Sequence, residues 1–152
     1  MSEAEQERIR VQTVRFGPLE VPQASCYDFP EGLLGFPGLV RYVLFDNPGG
    51  GPLKWLQSLE DPGLAFVCCD PTLFVPDYRA AVRREALAEI ALDREEDGYV
   101  LAILVIGKDP GETTANLLGP LILNLPARKG KQLVLSDTPY SSRHPVLGGR
   151  KA

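Results

Sequence analysis

Residues 99–146, YVLAILVIGKDPGETTANLLGPLILNLPARKGKQLVLSDTPYSSRHPV, decide the fold. They hold a continuous apolar run (100–106), a turn (107–111), a second apolar run broken by Asn116 and by Gly119-Pro120, another turn (126–130) and a third run (133–135). Apolar runs this short, bounded by Gly and Pro, fit buried strands better than helices of ten or more residues. Three strands joined by short turns follow. The first, VLAILVI, is apolar at every position, so both of its faces are expected to be covered, as at the centre of a barrel or sandwich. It is far too short to cross a membrane.

The chain of 152 residues suits one domain, 1–152, with a single core. At that size roughly 68 to 70% of the unfolded surface can be buried, so neither a metal nor a disulfide is needed to hold it together. Sixteen Lys and Arg against twenty Asp and Glu give a formal charge of −4. That balance argues against direct nucleic-acid binding and for solubility or a basic partner. Cys68 and Cys69 are adjacent and on a strand point to opposite faces, so they are poorly placed to bond each other; with Cys26 the count is odd, and a reduced cytosol fits best. The opening MSEAEQERIR is charged and lacks the apolar core of a signal peptide or anchor. Residues 1–10 and 148–152 are expected as flexible tails.

Working outward, VQTVRF (11–16) alternates apolar and polar, and Gly17-Pro18 punctuates it before a short strand at 19–21. Another strand is expected at 25–29. The segment PEGLLGFPGLVRYVLFDNP (30–48) places glycines at 32, 35 and 38, which suggests a tight, partly buried turn before a strand at 41–45. A phosphate-cradling loop would need a Lys and a Ser or Thr in fixed places after the glycines, and neither is there. Residues 53–59 alternate as LKWLQSL, and after the turn Glu60-Asp61-Pro62-Gly63 a second apolar strand at 64–69 completes a hairpin. Trp55 is read as a core or sheet-face residue, because so large an aromatic surface is usually buried. Glu60 and Asp61 are turn chemistry, with partner contact as the functional alternative. From 78 to 92 helical and strand periods both fit; the helix formers Glu85, Ala86, Leu87, Ala88 and Glu89 favour one short helix at 84–91.

Catalytic chemistry is sparse. His144, the only histidine, lies in YSSRHPV near Ser141 and Ser142, with Asp137 seven residues before it. A hydrolase reading needs a nucleophile elbow or a paired orienting motif, and neither is present. The competing structural reading has Arg143 and His144 fasten a chain end to the body. Metal binding by Cys26, Cys68, Cys69 and His144 lacks any C-x-x-C spacing, so buried apolar roles are favoured for the cysteines and no cofactor is expected. The basic triplet Arg128, Lys129 and Lys131 falls in the expected turn with no aromatic neighbour for base stacking and is read as solvated. Asn116, between Ala115 and Leu117, is expected to bond backbone where the strand bends before Gly119-Pro120.

The motifs EGLLGFPGLVRYVL, LQSLEDPGLAFVCCDPTLFVPDY, VLAILVI, TTANLLGPLILN, GKQLVL and YSSRHP, in this order, resemble the flagellar assembly factor FliW family over nearly all of residues 11–147. The strength lies in their number and order, with TTANLLGPLILN the most specific. The resemblance implies a small, mainly β, barrel-like protein that is not an enzyme; with the short helix and cytosolic setting read from the residues, a single-domain cytoplasmic monomer is expected. It implies binding of the translational regulator CsrA, antagonism of CsrA's RNA binding by an allosteric route, and binding of flagellin, whose accumulation frees CsrA to repress flagellin synthesis. Glu60, Asp61, Phe74, Asp77, Tyr78, Arg143 and His144 are then the candidate partner contacts, and Asn116, Gly119 and Pro120 the structural motif. Two other classes remain as alternatives. A small-ligand site or hydrolase centre would use the barrel interior, although Leu, Val and Ile at inward positions suggest a filled core; a direct RNA binder would need a basic face.

Overall fold

The structure, a computed structural model, describes residues 7–78, 97–109, 112–135 and 139–146. Its strands are β1 (Arg8–Thr13), β2 (Gly17–Pro22), β3 (Cys26–Asp28), β4 (Arg41–Asp46), β5 (Lys54–Ser58), β6 (Ala65–Cys69), β7 (Gly98–Val105), β8 (Thr114–Ala115), β9 (Leu121–Asn124), β10 (Lys129–Gln132) and β11 (His144–Pro145). The fold is mainly β, as expected. The expected helix at 84–91 lies outside the described residues.

Strands β7, β6, β5, β4, β3, β10 and β9 follow one another in the sheet, and pairing of β9 with β7 closes them into a seven-stranded barrel. All of these neighbours are antiparallel except β10, which meets β3 in parallel at Lys129 and Asp28. Gly130 makes that seam possible: a Cβ there would lie 2.6 Å from ring carbons of Phe29, which fills the interior beneath it.

The strand β7 explains why the barrel has two apolar layers. Its alternate residues Val100, Ala102 and Leu104 face an outer cluster, while Leu101 faces the interior. The interior is packed with Tyr27, Phe29, Tyr42, Leu56, Cys68, Leu101, Leu121 and Leu123, all buried. Each such aliphatic side chain contributes about 1.5 to 3 kcal/mol on burial. The filled interior bears against the expectation's alternative of a ligand inside the barrel. Outside, the β1–β2 hairpin covers one face through Val11, Val21 and Val43. The segments around residues 70–78, 116–120, 133–135 and 140–146 cover the other, and Cys69 lies there while Cys68 points inward, as the alternation requires.

Four boundaries differ from the sequence reading. Arg8 to Arg10 belong to β1, paired with Pro22 to Glu20, and not to a free tail, because Ile9 packs on the outer face. The first turn is 14–16 and not Gly17-Pro18: the Thr13 hydroxyl accepts the Phe16 N–H and donates to the Gly17 carbonyl, so Gly17, at φ +70°, opens β2. The third apolar run is displaced, since β10 ends at Gln132 while Leu133 and Leu135 donate to the Pro120 and Leu118 carbonyls. Consequently Lys129 and Lys131 lie on β10, and only Arg128 remains in the turn, with its guanidinium on Tyr27.

Along β7 the second apolar run pairs twice. Ala115 stands opposite Leu104 and Leu121 opposite Leu101, so residues 116–120 face only residues 102 and 103. The chain must bulge outward over those five residues. Asn116 holds the bulge: its N–H donates to the Ile103 carbonyl, and its Oδ1 accepts the N–H groups of Leu118 and Gly119 at 3.0 and 2.9 Å. Gln132 Nε2 donates to the Gly119 carbonyl from the other side, and the fit at Gly119 is tight: a Cβ would sit 3.1 Å from the side-chain amide nitrogens of Asn116 and Gln132.

Candidate functional site

Among the described residues, the outer layer leaves an apolar groove beside β6 and β7. Beyond the end of β6, Asp70 caps a short 3-10 turn (Pro71–Leu73) by accepting the Thr72 N–H, and this turns Leu73 outward and Phe74 back toward the barrel. Leu53, Cys69, Phe74 and Leu104 form the floor of an apolar groove of about 630 Å³, with Leu73 and Ile106 on its rim. Leu73 is 60% and Ile106 56% exposed, an unusual setting for two large aliphatic side chains beside a buried cluster. Val146, which follows β11, closes one side, and its N–H donates to the Thr113 carbonyl.

The expected partner contacts divide between two regions. Phe74 and His144 meet: their rings stack at 5.5 Å with 19° between planes, and His144 also pairs with Ala115 in the β8–β11 ladder. Arg143 beside it is exposed, and its N–H donates to the Ser141 hydroxyl. Asp77 is exposed as well. Tyr78 is not a surface contact. It is fully buried, its hydroxyl donates to the Leu117 carbonyl and its ring meets Tyr140 edge-on at 4.7 Å, because the outer layer needs a long side chain to tie the bulge to the segment after β6. Asp137, the third member of the hydrolase set, lies outside the described residues.

Glu60 and Asp61 lie at the opposite end of β6, in the β5–β6 turn, and do not join this groove. Glu60 Oε1 accepts the N–H groups of Val40 and Arg41, Asp61 Oδ1 accepts that of Gly63, and both backbone N–H groups donate to the Ser58 hydroxyl. Beneath the turn, fully buried Gln57 donates from Nε2 to the carbonyls of Ser58, Pro62 and Leu64 at 3.0 to 3.2 Å. The acidic turn is thus a rigid presentation of two carboxylates.

Sequence reasoning missed Leu73, Ile106 and Gln57. A signal existed for each: Ile106 ends the apolar run just past the last paired residue, Leu73 is apolar between two prolines where no strand can form, and Gln57 interrupts an inward-reading strand. Burial pushes the thiols of Cys26, Cys68 and Cys69 up, Cys69 to about 11 with Asp70 adding to the effect. All three are therefore protonated at neutral pH and poor nucleophiles or metal ligands. Among the described residues no three His, Cys, Asp or Glu side chains converge on a point that would hold a metal ion, and no helix is long and apolar enough to cross a membrane.

Comparison with known proteins places the chain. A family profile described as FliW protein matches residues 10–146. The flagellar assembly factor FliW of Leptospira biflexa is 39% identical over 140 residues, 91% of this chain and 92% of that one. Its namesake in Natranaerobius thermophilus is 37% identical over 147 residues, covering 95% and 97%. A crystal structure of the flagellar assembly factor FliW superposes with a TM-score of 0.80 at 29% identity, over 90% of this chain and 96% of the other. The chain belongs to the FliW family.

Proposed function

We propose that this protein is a protein-binding regulator of flagellar assembly, without enzymatic activity, that acts in the cytoplasm as a monomer. It binds a CsrA-like translational regulator and opposes that regulator's hold on RNA, and it binds flagellin, so that free flagellin sets how much CsrA-like protein is released to repress flagellin translation. The observation that carries the reading is the apolar groove beside Phe74, rimmed by exposed Leu73 and Ile106: it offers dehydration energy to a polypeptide and few polar groups to orient a small substrate. Family membership supports the flagellar context. The net charge of −4 and the rigid carboxylates Glu60 and Asp61 suit a basic partner, and an acidic body held near an RNA-binding surface repels phosphate without occupying the site.

The test is a reconstituted titration. RNA bound to the CsrA-like dimer is displaced as this protein is added, and flagellin reverses the displacement. Failure of either protein to bind at micromolar concentration, with the chain folded, would sink the proposal.

A further inference from the structure

The β1–β2 hairpin differs at its two edges. The Gln23 N–H donates to the Glu7 carbonyl, and the register carries this pairing in steps of two to Ile9–Val21, Val11–Leu19 and Thr13–Gly17. The N–H and C=O groups of Arg8, Arg10 and Gln12 therefore point away from β2, to the outer edge of β1. Pro22 and Pro18, opposite Arg8 and Gln12, fit this phase because proline has no N–H to give. On the outer edge of β2 the same two prolines offer no donor, and the Arg8 guanidinium takes the Glu20 carbonyl at 2.8 Å. Among the described residues β2 is the only strand that pairs with β1. Its outer edge thus presents three donors and three acceptors in a row, uninterrupted by proline, which is the ladder an extended chain completes.

The side chains of that edge say which kind of chain. Arg8, Arg10 and Gln12 are exposed and share one face of β1, while Ile9 and Val11 pack toward the barrel. Glu20 stands opposite Arg10, yet among the described residues neither Arg8 nor Arg10 is ion-paired. In a chain of net charge −4 the hairpin is locally basic, with Arg8, Arg10 and Arg15 against Glu7 and Glu20. Two copies paired about Arg10, the register that uses all three donors, would set arginine against arginine, and like charges directly opposite destabilise a sheet. Carboxylates at alternate positions of an incoming strand fall on the face of the arginines and complement them. We infer that the outer edge of β1 receives an extended acidic segment of a partner protein by strand addition, with Asp or Glu at every second residue facing Arg8 and Arg10. The inference goes beyond the function proposed above and makes no use of the groove.

The experiment follows the backbone amides of the full, isotope-labelled chain by NMR. The probe is a synthetic peptide of about nine residues alternating Glu and Val, long enough to cover a strand of this length, added to about 1 mM. The amides of Arg8, Arg10 and Gln12 are expected to exchange with solvent severalfold more slowly when it binds, while those of Ile9 and Val11, which already point to β2, keep their rates. A peptide with Gln in place of Glu should bind roughly fivefold more weakly. Gln12→Pro removes a donor that the hairpin does not use, so the thermal midpoint should match the parent while affinity falls roughly tenfold. Arg8→Glu combined with Arg10→Glu should reverse the preference, taking a Lys–Val peptide in place of the Glu–Val one, a gain that a misfolded variant cannot produce. Absence of protection at the three amides, or undiminished affinity in Gln12→Pro, overturns strand addition. Equal binding of the Gln peptide overturns the acidic occupant. So does a concentration-dependent dimer, seen by sedimentation, in which the same amides are protected without peptide, because a second copy then holds the edge.

Discussion

Replacing Asn116 with Ala isolates the device that holds the bulge at residues 116–120. Its Oδ1 accepts the N–H groups of Leu118 and Gly119 inside a bulge whose neighbours Leu117 and Gly119 are buried. Alanine leaves both donors without this acceptor. A neutral hydrogen bond contributes about 0.5 to 1.5 kcal/mol net, and an unpaired buried donor costs about 1 to 3 kcal/mol. Because Asn116 itself is only partly buried, the expected loss is about 1 to 3 kcal/mol. For a chain of this length that corresponds to roughly 3 to 10 °C in the thermal midpoint. Asn116→Asp keeps the acceptor oxygens and should recover most of the loss. The assay is thermal unfolding by circular dichroism alongside partner titration on the same samples. An unchanged midpoint with lost affinity for flagellin or the CsrA-like dimer would refute the reasoning and make Asn116 a contact residue.

The association rate with a basic CsrA-like dimer should fall as salt rises, given a net charge of −4; a stopped-flow rate indifferent to salt would remove electrostatic steering from the mechanism. Gln57→Ala should lower stability by about 2 to 3 kcal/mol, since a buried amide holding the Glu60-Asp61 turn is lost along with its volume, and a shift in the urea midpoint worth less than 1 kcal/mol would mean that Ser58 and Glu60 hold the turn alone. Burial pushes the Tyr42 hydroxyl up to about 12 and the Cys69 thiol to about 11; the native state therefore keeps protons that the unfolded chain releases, so stability is complete below about pH 9 and declines as pH rises through 11 to 12. Tyr42→Phe should shrink that decline at no loss of neutral-pH stability, because the buried hydroxyl has no protein partner, and a urea titration across pH that stays flat to 12 contradicts the account. Elemental analysis of the purified chain should find no stoichiometric metal, and one zinc per chain would overturn this.

How much was legible in the sequence follows from how local each signal is. Two-sided burial of β7 could be read from seven consecutive apolar residues, because alternate side chains must then face two apolar layers. The break at Asn116 and Gly119-Pro120 was visible too, but not its meaning: the groups that receive the bulge, Tyr78, Leu135 and Ser141, are distant in sequence and leave no local trace. For the same reason Tyr78 was expected as a partner contact and is instead buried. The misplaced first turn has a local cause, since Thr13 passes for a strand residue until its hydroxyl is seen bonding both sides of the turn. The groove was the least legible feature. Leu53, Phe74, Leu104 and Val146 come from four separate segments, and nothing in any one of them announces that the other three are near.

The division of labour between the layers accounts for how a barrel with a packed interior can still meet protein partners. Phe29, Tyr42, Leu56 and Leu101 fill the interior, and the seven strands form a closed frame around them. The outer layer is assembled from loops and short strands, and among the described residues its cover over β6 and β7 leaves Leu73 and Ile106 exposed. A partner that finishes that layer gains affinity from apolar burial and stabilises the fold in proportion to the logarithm of its concentration over its dissociation constant. A partner drawn to the carboxylates of the β5–β6 turn gains mainly encounter rate and loses it in salt. On the proposed function, the two ends of β6 would bind with different salt responses, and comparing the salt dependence of thermal stabilisation by each partner tests which end each one uses.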